Sequence, residues 1–290
     1  SRELYLDMLW ENEMSVPVVF ISKSISGFQP SPYITDVMRV ANRNNDNVFL
    51  LGDKYNKDLC VGKYIPYSNY ESGYQEFESK YIHLSTIHPE IEKFCFSRWF
   101  ILRDFMLENK ITQALHLDTD ILFFASSEEE AKRFKNLDCV LSGRTSGHSS
   151  YWTLDGIVKF CDYVMELYQN KEAFDFQRIA QIFAVRQAYN LDGGVCDMTF
   201  LEYFARYKAS HLVGELSILS DALYYDHIIG TDEGFEFENG RKVFSYQNGI
   251  PYAKFLKTGE LVPFATIHFQ GSHNKNLIRQ HTELSGRDDD

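Results

Sequence analysis

The hydrophobic positions first gather into a short continuous run, Val16-Pro17-Val18-Val19-Phe20-Ile21. A β-branched apolar run without polar alternation predicts a strand buried on both faces. Pro17 stands near its start, where a missing backbone donor does least harm. A polar turn follows over 22–31, then a helical pattern over 33–42. A second apolar run, 47–51, ends at Gly52-Asp53. Strand, helix, strand at this spacing predicts a βαβ unit and therefore a parallel sheet.

Residues 54–88 are Tyr-rich and polar with weak periodicity, which predicts a long loop region with short elements. Pro89, a residue suited to a first helical turn, opens a helix that runs to about residue 109. Strands are predicted at 113–117, 121–124 and 139–141, with a turn at 118–120. Two helical patterns, 155–168 and 175–189, are broken by Asn190 to Gly194, and a helix resumes over 199–207. Short strands follow at 235–237, 242–246 and 265–269, and 285–290 reads as a tail. No repeat and no Pro/Gly/Ser linker divides the chain. The expectation is an α/β N-terminal half and a mixed α+β C-terminal half in one unit.

Composition narrows the function classes. A length of 290 residues means one large domain or two small ones. Lys and Arg number 29 against 41 Asp and Glu, a net charge of −12. Phosphate backbones and anionic lipid repel such a chain, so general nucleic-acid or membrane-surface binding is not expected. With 44% hydrophobic and 24% charged residues, a mainly disordered chain is excluded. The 15% aromatic content suits stacking on carbohydrate or nucleotide, and equally a Phe-rich core. Five cysteines, an odd number with no C-x-x-C pair, indicate neither a zinc site nor a disulfide framework. With no Asn-x-Ser/Thr sequon, they lean towards a cytoplasmic setting. No apolar run approaches the roughly 18–20 residues of a membrane span, and no signal peptide is visible. The chain opens on Ser1 rather than Met. The expectation is a piece excised from a longer chain, which leaves open a membrane anchor or further domains in the removed part.

The sharpest chemical feature is Leu117-Asp118-Thr119-Asp120-Ile121, two carboxylates two positions apart between apolar strands. On extended chain that spacing turns both to one face. At ~5 Å and an effective dielectric near 20, two such charges repel by about 3 kcal/mol. A divalent cation between them removes the conflict, and Mg²⁺ or Mn²⁺ keeps positions open for substrate phosphates. The plain alternative is a polar turn with Asp118 bonding a backbone amide. In the preceding helix Arg98 lies near the middle of an apolar arc that contains Phe94, Cys95, Trp99, Leu102 and Phe105. A cation placed there needs a partner. A core carboxylate such as Asp118 and a substrate phosphate or sugar are both open, and one Arg can serve both.

Other candidates are single residues with two readings each. His268 ends an apolar strand and could be a third metal ligand; Lys275 could neutralise a phosphate, and His273 is a competing imidazole. The alternatives are a core histidine and a solvated lysine. Gly193-Gly194 could admit a ligand close to the backbone or simply end a helix. Asp192 could bind a sugar hydroxyl or act as a base, whereas Asp197 reads as a helix cap. Asp53 could accept from a nucleobase N–H, and Ser22 could meet the nucleotide; both could be turn residues. Asp226, beside Tyr224, Tyr225 and His227, is the other candidate base.

Taken together, the opening strand, Leu51-Gly52-Asp53, Arg98-Trp99, Leu117-Asp118-Thr119-Asp120, the Gly-Gly turn and a late His-x-x-Gly resemble the GT-A-fold glycosyltransferases over about residues 16–280. The resemblance implies a Rossmann-like mixed sheet flanked by helices. A single catalytic domain would span 1–284, with a nucleotide-binding half at about 16–125 and an acceptor-side half at about 126–284. It implies Mn²⁺ or Mg²⁺ on the diphosphate of a nucleotide sugar, with UDP as the preferred carrier. Asp120 would bind the metal directly, Asp118 would meet metal or ribose, and Asp53 would sit by the base. The acceptor would be a glycan or another hydroxyl. The late segment is similar to the His-x-x-Gly-x-x-Lys-Pro-Trp pattern of the glycogenin-like retaining family, whose His binds metal and whose Lys binds diphosphate. Here Lys275 stands one residue late and Asn276-Leu277 replaces Pro-Trp. Rival readings are a haloacid-dehalogenase-like phosphatase, although Leu122 stands where that pattern has Thr or Val, and a nucleotidyltransferase, although no Gly-rich phosphate loop follows the first strand. A non-catalytic carbohydrate-binding module is the third.

Overall fold

The apolar runs at the start of the chain become parallel strands: β1 (Val18–Ser22), β2 (Val48–Gly52), β3 (Lys63–Pro66) and β4 (Gln113–Leu117). The computed structural model describes residues 15–25, 31–209, 211–216 and 222–286. Every residue of β1 and β2 is buried, as expected of parallel strands covered on both faces. β5 (Ile121–Phe123) leaves this sheet, and β6 (Cys139–Ser142), β7 (Ser146–Thr153) and β8 (Val213–Glu215) complete it. The order is β3-β2-β1-β4-β7-β6-β8. β3, β2, β1 and β4 run parallel, whereas β7 is antiparallel to both of its neighbours.

The remaining strands are β9 (Tyr224–Tyr225), β10 (Phe237–Glu238), β11 (Arg241–Lys242), β12 (Ser245–Gln247), β13 (Ile250–Lys254) and β14 (Leu261–His268). β12, β13, β14 and β5 form a second sheet, with β9 on β14. This pairing sets His268 opposite Ile121, one residue after Asp120. No helix among the described residues is long and apolar enough to cross a membrane.

The short elements expected within 54–88 are strand β3 and the helix Ser72–Glu78, joined by turns. Two other segments depart from expectation. β7 was invisible because its sequence, SGHSSYWT, shows neither an apolar run nor a clean alternation, yet all but its last residue are buried. The helix expected over 199–207 is Asp197–Tyr203 followed by a π-helical turn, Phe204–Lys208.

The long helix Pro89–Glu108 packs Trp99 against β7. A Cβ on Gly147 would stand 2.2 Å from the Trp99 ring. That ring is buried and its Nε1 donates to Asp197 at 2.9 Å, so it cannot give way. Gly147→Ala is therefore expected to destabilise the fold by about 1–3 kcal/mol through overpacking. Urea denaturation reads this directly, and an unchanged midpoint would mean that Trp99 has room to move.

Candidate active site

The chain runs from β1 outwards to β2 and β3, then crosses to the other side of β1 to form β4. The crevice outside the carboxyl ends of β1 and β4 is thus a topological switch point, where open α/β sheets take their ligands. Asp118 is the first residue beyond β4.

Two clamps hold the acidic turn. On one side the Arg98 guanidinium donates through Nη1 to Asp118 Oδ1 at 2.6 Å and through Nη2 to Asp197 Oδ2 at 2.7 Å. His116 points Nε2 at the same Asp118 oxygen from 3.4 Å. Burial alone would raise the Asp118 pKa, but Arg98 and then His116 outweigh it and hold the carboxyl well below its ordinary range. The Arg98–Asp118 pair is one of the two partnerships left open by the sequence. Asp197 does not cap its helix: Cys196 holds the cap position, and the Asp197 carboxylate takes Arg98 and the Trp99 indole instead.

On the other side Lys275 Nζ lies 3.0 Å from Asp120 Oδ2, and His268 Nε2 lies 3.6 Å from Asp120 Oδ1. His268 Nδ1 is 2.6 Å from the His227 carbonyl. A carbonyl only accepts, so Nδ1 carries the proton, and in the neutral ring Nε2 turns a lone pair towards Asp120. The backbone locks this arrangement, because Phe269 N–H donates to the Asp120 carbonyl at 2.9 Å. The His148 ring stacks on His268 with centroids 4.1 Å apart. Burial first, then the neighbouring His268, hold the His148 imidazole well below its ordinary pKa.

Asp226 is fully buried behind His268. It accepts from the His268 N–H at 3.0 Å and from Lys242 Nζ at 2.8 Å. Burial raises its pKa despite Lys242. With both oxygens engaged and no exposure, Asp226 positions His268 and cannot reach an acceptor hydroxyl as a base.

The other candidates lie apart from this cluster or have simpler work. The Ser22 carbonyl accepts from Asn56 Nδ2 at 3.0 Å, at the carboxyl end of β1. Asp53, just past β2, accepts from the Ser24 N–H at 2.6 Å and the Tyr55 N–H at 2.9 Å, which makes it the tie between two strand exits. Gly193 and Gly194 pack on residues 84–86: the Gly193 N–H donates to Thr86 Oγ1 at 2.8 Å, and a Cβ on Gly194 would meet the Leu84 carbonyl at 2.2 Å. Close backbone approach explains Gly194, and a positive φ of 87° explains Gly193. Asp192 is exposed, and its carbonyl accepts from Arg186 Nε at 2.8 Å. Among the described residues no group of three or more His, Cys, Asp or Glu is arranged to hold a metal ion by itself. Of the residues expected at the site, the structure thus gathers Arg98, Asp118, Asp120, His268, Lys275 and, behind them, Asp226. Sequence reasoning missed His116, His148 and Lys242.

No protein-family model and no curated protein sequence matches the chain. Solved structures do match. The WbbM bifunctional glycosyltransferase in its apo form aligns with a TM-score of 0.50 and 10% identity, over 96% of this chain and 50% of that one. This chain thus spans half the length of the WbbM chain. Mouse xyloside xylosyltransferase 1, apo form, aligns at 0.45 and 10% identity over 70% of this chain and 85% of that one. A glycosyltransferase involved in glycosylation of the major capsid of PBCV-1 aligns at 0.40 and 9% over 92% and 100%. The likeness to WbbM concerns the fold, and the expected class is the one observed: a GT-A-type mixed α/β sheet flanked by helices.

Proposed function

We propose that this chain is a glycosyltransferase that moves a sugar from a nucleotide diphosphate sugar, UDP preferred, to a hydroxyl of a glycan or other acceptor, with Mn²⁺ or Mg²⁺ on the diphosphate. The observation that carries this reading is the meeting of Asp120, His268 and Lys275 beside Asp118 at the switch point of the sheet. Asp120 Oδ1 and His268 Nε2 face each other at 3.6 Å, an oxygen and an imidazole nitrogen placed to share a cation. The His268 Nδ1–H bonded to a backbone carbonyl is the usual outer support of a metal-binding imidazole. Two protein ligands suit Mg²⁺ or Mn²⁺, which take the rest of their coordination from substrate phosphates and water; the imidazole favours Mn²⁺. UDP is preferred on the resemblance alone.

In this reading Asp120 and His268 hold the cation, and its chemistry is neutralisation of the leaving diphosphate. Lys275, half-exposed and near the surface of the cluster, exchanges Asp120 for a phosphate oxygen and carries part of the charge that develops as the anomeric bond breaks. Arg98 keeps Asp118 ionised and oriented towards the cation or the ribose. Asp192 is the remaining candidate base if the acceptor attacks with inversion.

The test is a thermal-shift panel of UDP, GDP, CMP and dTDP, each with and without Mn²⁺. A nucleotide at a hundred times its Kd adds about 2.7 kcal/mol, on the order of 5 °C for a domain of this size. The expected result is a shift with UDP that requires Mn²⁺, together with slow release of UDP from a UDP-sugar. Inorganic phosphate released from phosphomonoesters would mark a phosphatase instead. The absence of any nucleotide shift would rule out the transferase.

A further inference from the structure

A lysine lies buried behind the cluster. Asn239 and Gly240 both have positive φ, 51° and 78°, the type I′ pair that closes a two-residue hairpin. The hairpin sets β10 against β11, with Phe237 opposite Lys242 and Glu238 opposite Arg241. Successive strand residues face opposite ways, and here Lys242 is the one turned inwards. Its side chain is fully buried, as is that of Asp226. A buried ion pair is a poor source of stability, because well-packed apolar residues of similar volume serve as well or better.

The bonds of Lys242 point to another role. An ammonium has three N–H donors. Here they go to Asp226 Oδ1 at 2.8 Å, the Ile228 carbonyl at 2.7 Å and Glu233 Oε2 at 2.5 Å. The first two partners belong to one stretch, 226–229, just past β9. That stretch grips His268 at three points. Asp226 Oδ2 accepts from the His268 N–H at 3.0 Å, the His227 carbonyl accepts from Nδ1 at 2.6 Å, and the Ile229 N–H donates to the His268 carbonyl at 2.9 Å. The Lys242 N–H closes the frame by donating to the Ile229 carbonyl at 3.0 Å. Lys242 thus ties the residues on either side of His227 and fixes the carbonyl between them. That carbonyl selects the tautomer. A neutral imidazole carries its proton on either nitrogen, and only the Nδ1–H form leaves a lone pair on Nε2, the nitrogen that faces Asp120.

We infer that Lys242 is a positioning residue: by tying Asp226 to the Ile228 carbonyl it holds the His227 carbonyl on His268 Nδ1, and so keeps Nε2 free to bind the cation. The cation rests on the glycosyl-transfer reading; the hold on the ring does not. Two measurements on the whole chain test the inference. The first is long-range ¹H–¹⁵N correlation of the histidine-labelled chain at about pH 8, where an ordinary imidazole is neutral, with the His268 signals assigned by their absence from His268→Gln. The second is titration with Mn²⁺ alone, followed by the paramagnetic resonance of the free ion. Lys242→Met removes all three donors. Asp226→Asn keeps the shape but offers one accepting oxygen where the carboxylate offers two, and it decides the outcome by itself if Lys242→Met does not fold. The parent is expected to show the Nδ1–H tautomer of His268 alone. Each variant is expected to show both tautomers and to bind Mn²⁺ at least about tenfold more weakly, the usual effect of losing an outer support of a metal ligand. A merely structural pair would lower the urea midpoint and move neither readout. A parent-like tautomer, or parent-like Mn²⁺ affinity, in a folded variant would overturn the inference. A tautomer that depends on Lys242 in a chain that takes no Mn²⁺ would keep the hold on the ring and remove the metal reading.

Discussion

Asp120→Ala is expected to lower turnover at least about a hundredfold, the scale on which loss of a group stabilising developing charge is felt, and to abolish the Mn²⁺ dependence of nucleotide binding. Of the two acids, Asp120 faces both His268 and Lys275, so its removal takes away the acid proposed to hold the cation directly. The fold has no reason to follow. The Asp120 backbone carbonyl that receives the Phe269 N–H stays in place, and Lys275, already 38% exposed, can turn to solvent. Circular dichroism and the denaturation midpoint should therefore match the parent. Lys275→Met separates the two contributions: it should weaken nucleotide binding while leaving its Mn²⁺ dependence. Parent-like turnover by Asp120→Ala would remove the metal role altogether.

What could be read from the chain followed physical locality. The acidic turn was legible because continuous apolar runs on either side leave two carboxylates nowhere to go but a strand end. Arg98 was legible because a cation in the middle of an apolar arc must find a partner. Its second partner was not: Asp197 lies 99 residues away and opens a helix, a place where an acid ordinarily serves the helix itself. The Asp226–Lys242 pair was equally hidden, since only burial of both ends reveals that an acid in an aromatic segment is an anchor. His148 went unseen with its strand, because β7 fills the sheet with Ser, Gly and His, whose burial depends on neighbours that no periodicity records. His268 was legible as a strand end, but its place beside Asp120 is a product of β14 pairing with β5.

Arg98→Met is expected to be the most destabilising single change at the site, by about 3–5 kcal/mol at neutral pH, the range found when one partner of a buried ion pair is removed. The Arg98 side chain is 11% exposed and Asp197 only 3%, so the variant strands a desolvated carboxylate with one remaining donor, the Trp99 indole. Two explanations would give a loss: stranded charge, and lost packing of the guanidinium against the Trp99 ring, whose centroid is 4.8 Å away. Acidity separates them. Asp118 is held well below its ordinary pKa in the folded parent. The stability it contributes is complete above the unfolded carboxylate value of about 3.9, and it is lost as pH falls below that towards the folded pKa. In Arg98→Met the Asp118 carboxyl loses the partner that depressed it and takes up its proton at higher pH, which removes one of the two charges left without the guanidinium. The gap between parent and variant in urea denaturation should therefore narrow from pH 7 to about pH 4. A second substitution that removes the stranded charge, Asp197→Asn, should restore part of the loss in the Arg98→Met background, although alone it destabilises the parent. A gap that stays constant with pH and is not relieved by Asp197→Asn would assign the loss to packing on Trp99, and Arg98 would then be a core side chain that happens to carry charge.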